Sequence, residues 1–209
     1  LVEDLVSHTD FAPTFLAAAG LPAPAVMTGR SFLDVLTSGR QGRVDPARAG
    51  ALSGRERHSH ARFDNLGYPA RALRTAQHLY IRNFKPDRWP AGDPDGFHDI
   101  DDSPTKSYLM ANREKEKRSF ALTFGKLPAE EMYDIVKDPG CTENLAGSRA
   151  HAAVKERLRT ELERTLTAQR DPRMTGSGDI WESYPRFSPM RAQLGGFAAQ
   201  GQYNPKYRQ

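Results

Sequence analysis

The stretch GRERHSHARFDNLGYPARALRT, Gly54 to Thr75, gathers Arg55, Arg57, Arg62, Arg71 and Arg74 with His58 and His60 around a turn signal at Asn65-Leu66-Gly67. A guanidinium grips a sulfate, phosphate or carboxylate through two parallel N–H bonds. An imidazole beside it donates a hydrogen bond or moves a proton near neutral pH. Together they suit an anionic sugar or ester, and they supply no nucleophile. His58 and His60 stand two apart, so in an extended chain they point to one side and could share a metal. No nearby cysteine or carboxylate completes a standard zinc set at a recognised spacing. The other reading of the pair is a solvated loop.

A second set follows in NFKPDRWPAGDP, where Lys85, Asp87, Arg88 and Trp89 sit between prolines. It reads either as a sugar-binding group (ring face, anion grip, hydroxyl acceptor) or as a Trp that plugs its loop onto a core. Asp99, Asp101 and Asp102 lack the glycine and distal glutamate of a calcium loop. Capping of a helix by Asp102 or Ser103, ahead of Pro104, accounts for them better. Cys141 is the single cysteine, which excludes an internal disulfide, and no base accompanies it. The sequence contains no G-x-S-x-G, P-loop, H-E-x-x-H or dinucleotide fingerprint.

These residues need elements to hold them. HTDFAPTFLAAAGLPAP reads as a short helix, capped by Thr9 or Asp10 and ended by Gly20 and Pro22, with Phe11, Phe15 and Leu16 turned to a neighbour. A second short helix follows Gly29, with Phe32, Leu33 and Leu36 as its apolar side. Residues 37–50 read as a surface loop. YPARALRT and HLYIRNF form an antiparallel hairpin broken near Ala76-Gln77, and Glu130 to Val136 is a third strand. Between them the insertion is first a loop and then a helix over Thr105 to Ser119. The clearest helix is RAHAAVKERLRTELERTLTAQ, whose Val154, Leu158, Leu162 and Leu166 form one stripe. The end, GGFAAQGQYNPKYRQ, reads as an extended tail.

The 209 residues carry 30 Lys and Arg against 26 Asp and Glu, a net charge of +4. That balance tilts toward anionic partners, but interspersed signs argue against nucleic acid. No stretch approaches the roughly 20 apolar residues of a membrane span. The start LVEDLVSHTD has no basic region, cleavage site or initiator Met, so the chain reads as processed or cut from something longer.

Two stretches resemble a known family. TDFAPTFLAAAGLPAPAVMTGRSFLDVL resembles the segment of sulfatases after their catalytic α/β core, where a D-x-x-P-T helix ends in A-G-L and leads to G-x-S-hydrophobic. AEEMYDIVKDPGCTENLAG resembles the late sulfatase pattern E-L-Y-D-L-x-x-D-P-x-E-x-x-N-L-A, with Cys141 where that pattern has Glu. Between them SGRERH, YPARALRTAQHLYIRNFKPDRWPAGDP and SPTKSYL are similar to bacterial relatives of heparan N-sulfatase (sulfamidase). The similarity runs to about Arg186.

The resemblance implies the C-terminal part of a sulfatase of the alkaline-phosphatase-like superfamily. The implied fold is α+β: a small antiparallel sheet of about four strands with a long C-terminal helix packed across it. The N-terminal short helices would belong to the edge of an α/β core outside this chain. Residues 1–48 would be core end and connector, 49–186 the C-terminal subdomain and 187–209 an extended tail. The whole enzyme would hydrolyse sulfate esters or N-sulfates on sulfated glucosamine or glycosaminoglycan, in a periplasmic or secreted setting. Its formylglycine and Ca2+ would lie upstream, since Cys141-Thr-Glu-Asn and Ser183-Tyr-Pro-Arg do not match the formylglycine motif. This piece would be inactive alone and would shape the pocket with Glu56, Arg57, His58, His60, Arg62 and Arg88. Its partners would be the sulfated sugar and the upstream core. The alternatives are a phosphatase or phosphonate hydrolase of the same superfamily and a non-catalytic polyanion-binding module.

Overall fold

The computed structural model describes residues 1–58, 66–92, 94 and 96–184. The fold is α+β, with a four-stranded antiparallel sheet, a long helix on it and short N-terminal helices. The strands are β1 (Gly50–Arg55), β2 (Ala70–Thr75), β3 (His78–Asn83) and β4 (Glu130–Asp134), adjacent in the order β1-β2-β3-β4. The chain divides into two compact units. One comprises Leu1–Ser53, Ala72–Tyr80 and Met132–Thr165; the other comprises Gly54–Arg71, Ile81–Glu131 and Leu166–Gln209.

In the first unit, a 3-10 turn (His8–Asp10) leads into α1 (Phe11–Ala18), and α2 spans Leu33–Thr37. The D-x-x-P-T residues explain how this region holds together. Buried Asp10 accepts from the Ser7 amide at 3.1 Å, the Arg30 amide at 2.8 Å and Arg48 Nη1 at 2.9 Å. Thr14 Oγ1 donates back to the Asp10 carbonyl at 2.6 Å and accepts from the Phe32 amide at 3.0 Å. Pro13 costs little so early in the helix, where amides have no intrahelical partner. Gly29 is required because a Cβ there would lie 2.0 Å from the Thr9 carbonyl oxygen. Asp10 therefore works as a tertiary clamp more than as a helix cap. The apolar faces differ from expectation. Val35 is the buried residue of α2 while Leu36 is exposed, and Phe15 is 71% exposed on α1.

The hairpin forms as read, with Thr75 Oγ1 accepting from the His78 amide and donating to its carbonyl across the Ala76-Gln77 turn. Arg149–His151 and Ala152–Ala168 run on as one helical stretch, the latter being α5. Its Leu158 and Leu162 join Leu73, Tyr80 and Met132 among the buried apolar side chains of this unit. β4 stops at Asp134, two residues before the expected end, because the Asp134 carboxylate accepts from the amides of Val136 and Lys137 and turns the chain. β1 is an added strand beyond the three read from the residues. It is mostly exposed and carries little apolar pattern, and it begins where the loop ending at residue 50 was expected.

In the second unit, the helix expected over Thr105 to Ser119 is two helices, α3 (Pro104–Ala111) and α4 (Lys117–Phe124). Asn112 ends the first: its side-chain amide and backbone N–H both bond to the Tyr108 carbonyl. Ser103 caps α3 by accepting from the Lys106 amide at 3.1 Å. Phe97, Leu109, Phe124 and Ala91 form a buried cluster, with Trp89, Met110 and Phe120 packed against it. Trp89 meets Phe97 edge-on at 5.9 Å and Lys126 lies over its ring, so Trp89 seats its loop on this core. The expected tail 187–209 lies outside the described residues.

Replacing Asp10 by Ala removes the closer carboxylate from buried Arg48, leaving Asp45 at 3.6 Å, and should lower unfolding stability by about 3 kcal/mol. A denaturant midpoint that drops without a change of slope checks it. A second expectation concerns His78, which burial holds below its ordinary 6.5 against the pull of Asp134, with Arg157, His151 and Lys137 adding to the depression. The folded state disfavours protonated His78, so its contribution is full above 6.5 and is lost as pH falls through the depressed value. Thermal midpoints should decline as pH falls below 6.5, and His78→Gln should flatten that decline.

Candidate functional site

The second unit places the charged stretch on the page. Glu182 ends a 3-10 segment (Gly178–Glu182) and its side chain is 1% exposed. Arg57 Nη2 donates to Oε2 at 2.8 Å and Arg88 Nη1 donates to Oε1 at 2.6 Å. The Gly67 amide donates to both oxygens at 3.1 and 3.2 Å, and Arg88 Nη1 also reaches the Gly67 carbonyl at 2.8 Å. Burial would raise the Glu182 pKa, but the Arg88 hydrogen bond, the Gly67 amide and Arg57 outweigh it and hold it below the ordinary value. Desolvation in turn lowers Arg57, against the attraction of Glu182. One buried carboxylate thus ties Arg57 and Gly67, the two sides of the loop between them. A Cβ on Gly67 would stand 2.5 Å from the Glu56 carbonyl oxygen, so the chain leaves and returns at nearly one point. Glu56 and Gly67 thus form a tight neck.

A second ladder lies beside this neck in sequence. Glu56 accepts from Arg71 Nη2 at 2.7 Å and from Arg173 Nη2 at 2.6 Å. Arg71 also pairs with Asp171 through Nε at 2.6 Å and Nη2 at 3.2 Å. Arg173 reaches Asp179 at 2.9 Å, and Lys85 reaches the same carboxylate at 3.0 Å. Burial works to lower both arginines, and their carboxylates raise them beyond their ordinary values. Asp171 caps α6 (Pro172–Thr175) by accepting from the Arg173 amide.

Of the residues expected at a substrate site, Glu56, Arg57 and Arg88 therefore lie in internal ion pairs. His58 is different: its side chain is 60% exposed, and Nδ1 stands 3.3 Å from Asp99 Oδ1, whose side chain is 1% exposed. His60 and Arg62 lie outside the described residues. Asp99 joins the site although its aspartate-rich segment suggested only a cap. Glu182, Asp171 and Arg173 carry no signal in the sequence, because their long-range partners Arg57, Arg88, Arg71 and Glu56 stand 94 to 125 residues away.

Among the described residues, no group of three His, Cys, Asp or Glu side chains is arranged to hold a metal ion. Cys141 does not fit a formylglycine position. It is half-buried at φ +52° in a turn where Asp138 accepts from the amides of Thr142 and Glu143. No described helix is long and apolar enough to cross a membrane.

The chain is sulfatase-like over most of its length. It is 28% identical over 167 residues, 80% of the chain, to an ulvan-active sulfatase of Formosa agariphila. A second ulvan-active sulfatase of that organism is 30% identical over 168 residues, 78% of the chain. The chain spans 30% and 26% of the lengths of these two relatives. No protein-family profile matches it. Among solved structures it overlaps a protein in complex with its substrate D-glucosamine-2-N,6-O-disulfate at 22% identity and a TM-score of 0.48, covering 78% of this chain and 25% of the other. It overlaps the phosphonate monoester hydrolase of Agrobacterium radiobacter at 17% identity and a TM-score of 0.49, covering 83% and 27%.

Replacing Glu182 by Gln leaves two guanidinium groups facing a neutral amide and should cost about 3 kcal/mol. It should also open the loop neck, read as faster proteolytic cleavage between residues 57 and 67. The wild-type neck should weaken as pH falls below 4.5 and through the depressed Glu182 value, since its carboxylate then protonates.

Proposed function

We propose that this chain is the C-terminal portion of a sulfatase and that the closed loop from Glu56 to Gly67 forms the rim of its substrate pocket. The observation that carries the reading is the similarity to two ulvan-active sulfatases across about four fifths of the chain. The substrate class is a sulfated polysaccharide or its oligosaccharides, as the names of those relatives suggest. Residues 1–48 are then the edge of the α/β core of the same protein. Exposed Phe11, Phe15 and Leu36 are the apolar side chains that this core covers.

The reaction is attack at sulfur with release of the sugar oxygen, or of nitrogen for an N-sulfate. Formylglycine and calcium, if held upstream in the full-length protein, would supply the nucleophile and the charge neutralisation; among the described residues none is arranged to hold the ion. The chain contributes recognition. His58 is exposed at the loop base and can bond to a sugar hydroxyl or a sulfate oxygen. His60 and Arg62 follow close behind in sequence. Arg57, Arg88 and Glu56 act by holding the loop, since their charges are already matched by Glu182, Arg71 and Arg173. That matching also weighs against a module that binds polyanions by charge alone, because the buried arginines are neutralised within the fold.

The test uses the full-length protein that carries this chain. It should release sulfate from sulfated oligosaccharides faster than it turns over phosphonate or phosphate esters. His58→Ala should lower kcat/KM about tenfold with thermal stability unchanged. Preferred turnover of phosphonates would make it a hydrolase of the sister class. An unchanged kcat/KM in His58→Ala would remove the rim assignment. Comparison of O-sulfated with N-sulfated glucosamine decides whether the bond cleaved is S–O or S–N.

A further inference from the structure

An exposed imidazole facing a buried carboxylate stands out beside Glu56 and Arg57, whose charges are matched inside the fold. The segment that carries Asp99 is rigidly built. Phe97 holds φ +51°, a left-handed conformation that costs a non-glycine residue energy. Its ring is fixed by stacking on Phe124 at 4.7 Å and by edge contacts with Trp89 and Phe120. Lys106 is buried, and its ammonium donates to the Phe97 carbonyl at 3.3 Å, the Ile100 carbonyl at 2.8 Å and Asp102 at 3.1 Å. The Asp99 amide donates to the Ala91 carbonyl at 3.2 Å. Strain and a buried lysine are thus spent on presenting one carboxylate at a fixed place.

We propose that Asp99 is the positioning residue of His58. An ionised carboxylate only accepts hydrogen bonds, so Nδ1 of the neutral ring must carry the proton that faces it. Nε2 is then bare and turned away from Asp99. It accepts a hydrogen bond from a donor on the ligand: a hydroxyl of the sugar next to the sulfated position. The sugar as ligand rests on the rim reading above, while the tautomer stands on the geometry alone.

The test is a long-range 1H–15N spectrum of the full-length protein labelled in histidine, recorded above the imidazole range at about pH 8.5. The His58 signals are identified by their loss in His58→Gln. The expected result is the Nδ1–H tautomer in the wild type, with a shift toward Nε2–H in Asp99→Asn. An Nε2–H ring in the wild type overturns the proposal, and this arm needs no variant of Asp99 to fold. In kinetics, Asp99→Asn should raise KM for the sulfated sugar about tenfold and change kcat less than about twofold. It should add nothing when His58 is already Ala. An equal loss in the His58→Ala background would mean that Asp99 acts only on the fold, and the positioning role would fall. If His58→Ala alone leaves kcat/KM untouched, the rim reading fails, and the ring spectrum still decides the dyad.

Discussion

The second unit turns on the burial of one carboxylate. Taking Glu182 out of water costs several kcal/mol, and only close, well-aligned donors offset that. Two guanidinium groups and the Gly67 amide do so, at 2.6 to 3.2 Å. The donors come from three separated parts of the chain: Arg57 before the loop, Gly67 after it and Arg88 beyond β3. Their convergence sets where the loop departs and where it returns. Gly67 cannot gain a side chain without striking the Glu56 carbonyl, so the neck is tight as well as charged.

The same logic extends through Glu56, Arg71, Asp171, Arg173 and Asp179. Each arginine there meets two carboxylates, and Glu56 and Asp179 each meet two basic side chains. Chained pairs of this kind satisfy the fork of a guanidinium on both sides, which a single surface pair does not. Within the basic stretch from Gly54 to Thr75, Arg57 and Arg71 are therefore internal mortar, while Arg55 and Arg74 stay exposed. What remains outward at the described end of the loop is His58, with Asp99 behind it.

The sequence made some of this legible. The β2–β3 hairpin, the short helix α1 and α5 with its leucine stripe all follow from local patterns of burial or capping, whereas Asp10 read as a cap and its clamp on Arg30 and Arg48 spans 20 and 38 residues. β1 was hidden because Gly-Ala-Leu-Ser-Gly-Arg is a mostly exposed strand with no alternation to read. The break between α3 and α4 was hidden because Asn112 to Glu116 has good helix formers and no Gly or Pro. Stacking Phe97 between Phe124, Trp89 and Phe120 joins residues that no short-range pattern connects. The site was half visible. Residue types around His58 announced anion or sugar chemistry, but which of them were already paired depended on Glu182 and Arg173, 125 and 117 residues from their partners.

The account stands or falls on whether this closed loop meets a sulfated sugar. Hydrogen–deuterium exchange on the full-length protein, with and without a sulfated oligosaccharide that it binds, addresses that directly. Slowed exchange concentrated in residues 57–67 and 96–100 is the predicted result. Unchanged exchange there, with protection confined to other parts of the protein, would contradict it.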